Sequence, residues 1–242
     1  MKTVLCHMKK CCQMKKTAML LSASLAMTFL TPCAHGNIVN IVPGIAATPV
    51  EKARQVVSTV VNGMTAVLKN KGLSRDQKEG QVRKLIKENF RIPSIVQFIF
   101  GRAYRGLSQE DRKRAARAYL SYLATSYTDK LMDSASSVGS DTVRITKTHV
   151  QDESGQILVT TEATVAGMEK PVAVIWYLYQ IDDKKTGGKV ARIYDVSVEG
   201  LSESLSHQQE FQPIIAPVGT GVNAFIAEIE KRIAKIHATA HQ

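Results

Sequence analysis

The stretch Val174-Ile175-Trp176-Tyr177-Leu178-Tyr179 carries an apolar or aromatic side chain at every position. Successive side chains of a β-strand point to opposite faces of a sheet, so both faces of such a strand are apolar. A strand of this kind must be covered on both sides or must face a cavity. Residues Val172 to Ile181 are therefore predicted to form a strand beside a core or a cavity.

Three further segments alternate apolar and polar residues with a period of two, which is typical of half-buried strands. They are Val143 to Lys147, Ile157 to Val165 after a turn at Gly155, and Lys189 to Val198 after the turn Asp182 to Gly188. Short turns join these segments, and short turns connect antiparallel neighbours. The sequence therefore predicts a twisted antiparallel sheet of about four strands within residues 141–200.

Segments on both sides of this sheet have the 3.6-residue period of amphipathic helices. The first runs from Val50 to Leu68, with Thr48 as its cap, and Ser74 to Gln77 form a capping box that opens a second helix. Helical patterns cover residues 49–138 and return over 201–238. The predicted class is α+β, with N-terminal helices, the sheet and C-terminal helices in one domain, 49–242.

The first 36 residues have the plan of a secretory signal peptide. Two lysines precede a short apolar run from Thr17 to Leu30, and the small residues Ala34 and Gly36 follow. The run is shorter than the roughly 20 residues that span a bilayer. We predict cleavage after Gly36 and a flexible lead-in over 37–48. A buried N-terminal helix is the alternative, although it leaves the lysines and the small residues unexplained.

Removal of this leader changes the charge and the cysteine content. The full chain has 242 residues and a net charge of +11, and the remaining 206 residues carry +6 because five lysines lie in the leader. All four cysteines lie there too. An exported chain without cysteine has no thiolate catalysis, disulfide or cysteine metal site. Cys33 ends a loose lipoprotein-type motif, but the preceding Pro32 argues against lipidation.

The mature sequence contains no established catalytic or metal-binding motif. The histidines lack metal-ligand spacing, and neither a phosphate-binding loop nor a nucleophile elbow is present. We therefore predict no catalytic residue, no metal and no cofactor. Asp195, Ser197 and Glu199 share one face of the last strand, where two carboxylates could act as an acid–base pair. The alternative interpretation is a hydrogen-bonded strand end.

A basic segment from Arg102 to Arg117, with tyrosines nearby, has the composition of a nucleic-acid-binding surface. Export to a compartment without nucleic acid removes that partner. A solvated helix face is the better interpretation, and no nucleic-acid partner is predicted. Such a face could also meet lipid phosphates or an acidic protein.

Three parts of the sequence are similar to the motifs of a known family. Phe100 to Arg105, FGRAYR, begins a pattern that continues to Leu131; Arg192 to Gly200, RIYDVSVEG, matches a strand motif; and Phe211 to Ile215 and Phe225 to Ile229 follow at nearly the family spacing. In this combination the chain resembles the MlaC family, also called the toluene-tolerance family. Two family positions that are apolar hold Glu203 and Ser204 here.

The resemblance implies a periplasmic, non-enzymatic carrier whose helices and sheet enclose an apolar pocket for phospholipid acyl tails. Family members pass lipid between an outer-membrane lipoprotein–porin complex and an inner-membrane ABC transporter with an MCE-domain subunit, which maintains outer-membrane lipid asymmetry. A monomer is expected. A hopanoid or other hydrophobic ligand is one alternative, and an exported enzyme using Asp195 and Glu199 is an alternative of another class.

The residues predicted to line the lipid pocket share apolar or aromatic character and lie on the predicted helices and strands. They are Val60, Met64, Phe98, Tyr104, Tyr119, Tyr122, Leu123, Tyr127, Trp176, Leu178, Tyr194, Phe211 and Ile215. Each of them could equally belong to an ordinary core.

Overall fold

A computed structural model describes residues 47–134, 143–151, 154–164, 170–184, 187–216 and 221–239. The predicted signal peptide, 1–36, and nearly all of the lead-in, 37–48, lie outside these residues and stay predictions. The ends of two predicted segments, 135–138 and Val165, also lie outside them.

Within the described residues, four helices precede the sheet: α1 Pro49–Lys69, α2 Arg75–Asn89, α3 Ile92–Phe100 and α4 Gln109–Ser134, with a 3₁₀ turn Gly101–Gly106 before α4. The predicted capping residues begin the first two. The hydroxyl of Thr48 accepts a hydrogen bond from the amide of Glu51, and Ser74 and Gln77 form the reciprocal capping box. These bonds satisfy amides that the first turn of a helix leaves unpaired.

The sheet is antiparallel and follows the chain order: β1 Val143–Gln151, β2 Gln156–Ala163, β3 Val172–Asp182, β4 Lys189–Val198 and β5 Leu201–Ser202. The short strand β5 differs from the sequence prediction, which began a helix at Leu201. Glu199 and Gly200 have φ angles of 49° and 82° and reverse the chain, so that Leu201 pairs with Val198. The two C-terminal helices are α5 Glu203–Ile215 and α6 Gly221–Thr239.

Alternate residues of β3 form the sheet face that the first helix covers. Trp176 lies opposite Val159 of β2 and Val196 of β4, and helix α1 packs against strands β1 to β4. Because side chains alternate along a strand, Val174 and Leu178 share this face with Trp176. The sheet and α1 therefore face each other across this part of the core.

The helical part of the core is built around three phenylalanine rings from three helices. Phe225 of α6 lies between Phe100 of α3 and Phe211 of α5, with ring centroids 4.9 Å apart and edge-to-face in both pairs. All three side chains are buried. Edge-to-face pairs at this separation are favourable, so they fix how the C-terminal helices sit on the N-terminal ones. The predicted α+β class is confirmed.

Candidate functional site

A cavity of about 400 Å³ lies between α1, the sheet and the end of α4. This volume is within the range of about 300–1,000 Å³ that small-molecule pockets occupy. Its walls are apolar or aromatic except at two positions. The lining residues are Val60, Met64, Phe90, Tyr127, Lys130, Val174, Trp176, Val196, Val198 and Glu203.

The periods of α1 and β3 place apolar side chains together on the faces that line the cavity. Val60 and Met64 are four residues apart on α1 and share one helix face, while Val174 and Trp176 are two apart on β3 and share one sheet face. The indole Nε1 of Trp176 donates a hydrogen bond of 3.0 Å to the hydroxyl of Thr161. The polar atom of the indole is thereby satisfied, so the ring leaves its apolar surface to the cavity.

A narrow gap of about 10 Å³ continues the cavity. It shares Phe90, Tyr127, Val196 and Glu203 with the main cavity. Its volume is close to the roughly 10–15 Å³ that one water molecule requires, so in this conformation the gap is closed to a ligand. The side chain of Tyr127 therefore contributes to the walls of both spaces.

A buried hydrogen bond lies behind Glu203. The hydroxyl of Tyr119 is 2.7 Å from Nδ1 of His207, and Nε2 of His207 is 3.8 Å from a carboxylate oxygen of Glu203. Burial raises the pKa of Tyr119 well above its usual value, so the phenol stays protonated and can donate to Nδ1. Burial also raises the pKa of Tyr127, and the charge of Glu203 adds to this effect.

His207 makes the stability of the protein depend on pH. Burial lowers the pKa of His207, an effect that Glu203 and Glu210 oppose and that Lys130 and Arg232 reinforce. The unfolded chain therefore gains a proton near pH 6.5 that the folded protein resists. We expect the free energy of unfolding to fall as the pH drops below about 6.5, by at most about 1.4 kcal/mol per pH unit from this group.

Urea unfolding of the wild type and of His207→Gln between pH 5 and 7.5 checks this expectation. The variant should lose less stability on acidification than the wild type, because it lacks the group that titrates. Parallel curves for the two proteins would contradict a lowered pKa of His207.

The two carboxylates of the acid–base hypothesis make structural hydrogen bonds. Asp195 accepts from the hydroxyl of Ser202 at 2.5 Å and from the amide of Ser204 at 2.9 Å. Glu199 accepts from the amide of Ala173 at 2.5 Å. Both carboxylates therefore bind neighbouring backbone amides at the end of β4. These contacts agree with the interpretation of a hydrogen-bonded strand end.

The structure brings some of the predicted pocket residues together at the cavity. Val60, Met64, Tyr127 and Trp176 line the main cavity. Tyr119, Leu123 and Tyr194 line the narrow gap behind it. Tyr119 and Leu123 are four residues apart on one face of α4, whereas the ring of Tyr194 packs 5.0 Å from that of Tyr179.

The other predicted pocket residues lie elsewhere. Leu178, Phe211 and Ile215 are buried in the general core, and Tyr122 packs against His207 and Phe211. The ring of Tyr104 lies 4.7 Å from the guanidinium of Arg112. Phe98 is 45% exposed, because it lies beside Ser94 and Gln97 on the polar side of α3, away from the buried apolar residues of this helix.

Several lining residues were not predicted from the sequence. Residues two apart on a strand share one face, so Val174 lies on the same face as Trp176, and Val196 lies on the same face as Val198. Strand alternation could therefore have identified these valines as lining residues. Phe90 caps the C-terminal end of α2, and a backbone pairing with Ile193 holds it beside β4. Lys130 had no signal, because nothing in a local pattern assigns a charged side chain to an apolar cavity, whereas Glu203 stands at a family position that is otherwise apolar.

In the part of the chain that the structure describes, none of the helices combines the length and the apolar composition that crossing a membrane requires. The same residues hold no group of three or more His, Cys, Asp or Glu side chains arranged to bind a metal ion.

Comparison with known proteins relates this architecture to one family. The model of the MlaC protein family matches residues 58–231, well over half of the chain. The search of curated proteins with this chain found no match. A similar solved structure is the phospholipid-binding protein from Ralstonia solanacearum in complex with a phospholipid, with a TM-score of 0.60 and 19% identity over 76% of this chain and 98% of that chain. That likeness shows a shared fold. The family match confirms the resemblance of the sequence motifs, and the chain belongs to the MlaC protein family.

Proposed function

We propose that this protein is a periplasmic phospholipid-binding shuttle that carries lipid between the outer and the inner membrane. It would act in an Mla-type ABC transport system that maintains outer-membrane lipid asymmetry. Its partners would be an inner-membrane ABC transporter with an MCE-domain subunit and an outer-membrane lipoprotein–porin complex. The domain 49–242 would act as a monomer after export and removal of residues 1–36.

The observation that carries this proposal is the apolar cavity between α1 and the sheet. Of the ten described residues that line it, eight are apolar or aromatic, and the polar atom of Trp176 is already bonded to Thr161. Transfer of hydrocarbon from water is worth roughly 0.8 kcal/mol per CH₂ group. A cavity with such walls therefore favours an acyl chain over a polar metabolite.

Two further observations agree with a carrier. The similar protein from Ralstonia solanacearum was solved with a phospholipid bound, which supports the same class of ligand here. The carboxylates of Asp195 and Glu199 are engaged with backbone amides, which supports a structural role over a catalytic one.

Native mass spectrometry of the exported protein tests the proposal. The full chain is expressed in a Gram-negative host, and the protein is purified from the periplasm without detergent. We expect one phospholipid per protein molecule and an N-terminus at Asn37. A protein that stays empty after incubation with phospholipid vesicles would refute the lipid-binding role. A co-purified hopanoid would identify the ligand as the alternative one, in place of a phospholipid.

A further inference from the structure

We propose that the protein docks on an anionic phospholipid bilayer through a surface formed by α3, the 3₁₀ turn after it, β5 and the start of α5. The inference goes beyond the proposed function, whose partners are protein complexes, because it adds the membrane itself as a partner. The docking surface combines exposed apolar side chains with exposed arginines. Its residues are Arg91, Phe98, Arg102, Arg105, Leu201 and Leu205.

Contacts between α3 and α5 bring apolar side chains of the docking surface into one region. The Nε2 of Gln208 donates a hydrogen bond of 2.6 Å to the carbonyl oxygen of Phe98. Leu205 is three residues before Gln208 and lies on the same side of α5. Phe98 and Leu205 are each 45% exposed, and Leu201 is 73% exposed. A single exposed hydrophobic residue is ordinary, whereas a group of them marks an interaction site.

Leu201 lies beside the wall of the apolar cavity. It pairs with Val198 across β4 and β5, and directly opposite residues of antiparallel strands point to the same face. Val198 lines the cavity. The docking surface and the site that we propose for the acyl chains are therefore neighbours, and this step of the argument rests on the proposed function.

Three arginines supply the positive charge of the docking surface. Arg91 precedes α3, while Arg102 and Arg105 lie in the 3₁₀ turn that follows it, so cations flank both ends of the helix. All three side chains are exposed and form no hydrogen bond or ion pair with another described residue. Residues 91–109 contain these three arginines and no acidic residue, which gives the segment a charge of +3.

The other arginines of the basic segment from Arg102 to Arg117 are engaged within the protein. The guanidinium of Arg112 lies over the ring of Tyr104. Arg114 and Arg117 each form an ion pair of 2.9 Å with a carboxylate of their own helix. The structure therefore distinguishes arginines that stabilise the fold from Arg102 and Arg105, whose charges are available to an external anion.

The combination of unpaired arginines and exposed apolar side chains matches the surface of an anionic bilayer. Guanidinium groups bind phosphate oxygens, and the negative potential of anionic lipids attracts them to the membrane. Phenylalanine and leucine side chains enter the boundary between headgroups and acyl chains. An acidic protein would satisfy the arginines as well, but the position of Leu201 beside the proposed lipid site favours a lipid partner.

Vesicle flotation tests the docking surface. The full chain is expressed and exported, and the purified protein is floated with vesicles of dioleoyl phosphatidylcholine, alone or with about 30 mol% dioleoyl phosphatidylglycerol. We expect the protein to bind the anionic vesicles at low ionic strength and to be released by about 0.5 M NaCl, because salt screens exposed charges. Equal binding to the two kinds of vesicle would contradict a docking surface built on arginines.

A charge variant measures the contribution of the arginines. Arg102→Gln with Arg105→Gln should weaken binding to the anionic vesicles about tenfold to thirtyfold, since each cation near such a surface contributes about threefold to fivefold. Lys71→Gln with Lys147→Gln removes the same charge at exposed positions outside the docking surface and is the matched control. Binding that falls equally in both double variants would show that net charge, and not this surface, attracts the protein.

An environment-sensitive fluorophore reports whether the apolar side chains enter the bilayer. Removal of residues 1–36 leaves no native cysteine, so Phe98→Cys provides a single labelling site. We expect a blue shift of its emission with the anionic vesicles. Val150→Cys, at a position that is also about half exposed but lies on β1, is the control and should show no shift. Equal shifts at the two positions would contradict docking through α3.

Lipid uptake, measured by native mass spectrometry on the same samples, separates this inference from the proposed function. A protein that takes up phospholipid but neither floats with anionic vesicles nor changes its emission would overturn membrane docking, leave the carrier role standing and assign the surface to an acidic protein. A protein that floats as expected but takes up no lipid would refute the carrier role and leave the docking surface standing. The salt and fluorophore measurements keep the native arginines, so they decide the case in which the charge variant fails to fold.

Discussion

Val174→Trp should reduce the lipid bound per protein molecule at least about tenfold while the protein stays folded. Val174 is half-buried on β3 and points into the cavity beside Trp176. The indole would occupy space that an acyl chain needs, and each CH₂ group left in water costs roughly 0.8 kcal/mol. A tenfold loss corresponds to about 1.4 kcal/mol, less than two such groups. Native mass spectrometry after incubation with vesicles measures the loss.

The matched control is Val150→Trp. Val150 is also a strand valine, but its side chain is 46% exposed on β1 and does not line the cavity. This variant should bind lipid as the wild type does. Both variants should melt within a few degrees of the wild type, because β-strands accept aromatic residues and the cavity accommodates the added volume. Full lipid occupancy of folded Val174→Trp would show that the ligand does not use this cavity.

Asp195→Ala should destabilise the protein by about 2–4 kcal/mol, because it removes two hydrogen bonds to a carboxylate. One of these bonds holds the amide of Ser204, in the first turn of α5, and the other holds the hydroxyl of Ser202 that caps this helix. Their loss leaves the junction between β4 and α5 without its anchor. The midpoint of thermal unfolding should fall by roughly 5–15 °C.

Thermal unfolding of two further variants completes this test. Asp195→Asn keeps one acceptor oxygen and should lie between the wild type and Asp195→Ala. Asp182→Ala, at the exposed end of β3, should change the stability by less than about 0.5 kcal/mol. Wild-type stability of Asp195→Ala would contradict the anchoring role and would return Asp195 to consideration as a catalytic group.

Local signals in the sequence were sufficient for most of the secondary structure. The predicted caps at Thr48 and Ser74 begin α1 and α2, and the turn at Gly155 precedes β2. These features depend on residues within a few positions of one another, which is why periodicity and capping rules find them. The reversal at Glu199 and Gly200 escaped these rules, because a positive φ at a glutamate has no sequence pattern of its own.

The candidate site was predictable only in part. Val60, Met64, Tyr127 and Trp176 were identified from apolar faces, and all four line the cavity. The same reasoning proposed Phe98, which is exposed. Phe98 shares its side of α3 with Ser94 and Gln97, so the periodicity of the whole helix indicates solvent there, whereas the apolar character of the single residue does not.

The sequence by itself determined the α+β class, the order of the helices and of the four longer strands, and membership of the MlaC family. Only the tertiary structure decided where the cavity lies and that Lys130 and Glu203 border it. The physical reason is distance along the chain. Periodicity reports which face of one element is apolar, whereas a cavity depends on how elements more than a hundred residues apart, such as α1 and α5, leave space between their packed faces.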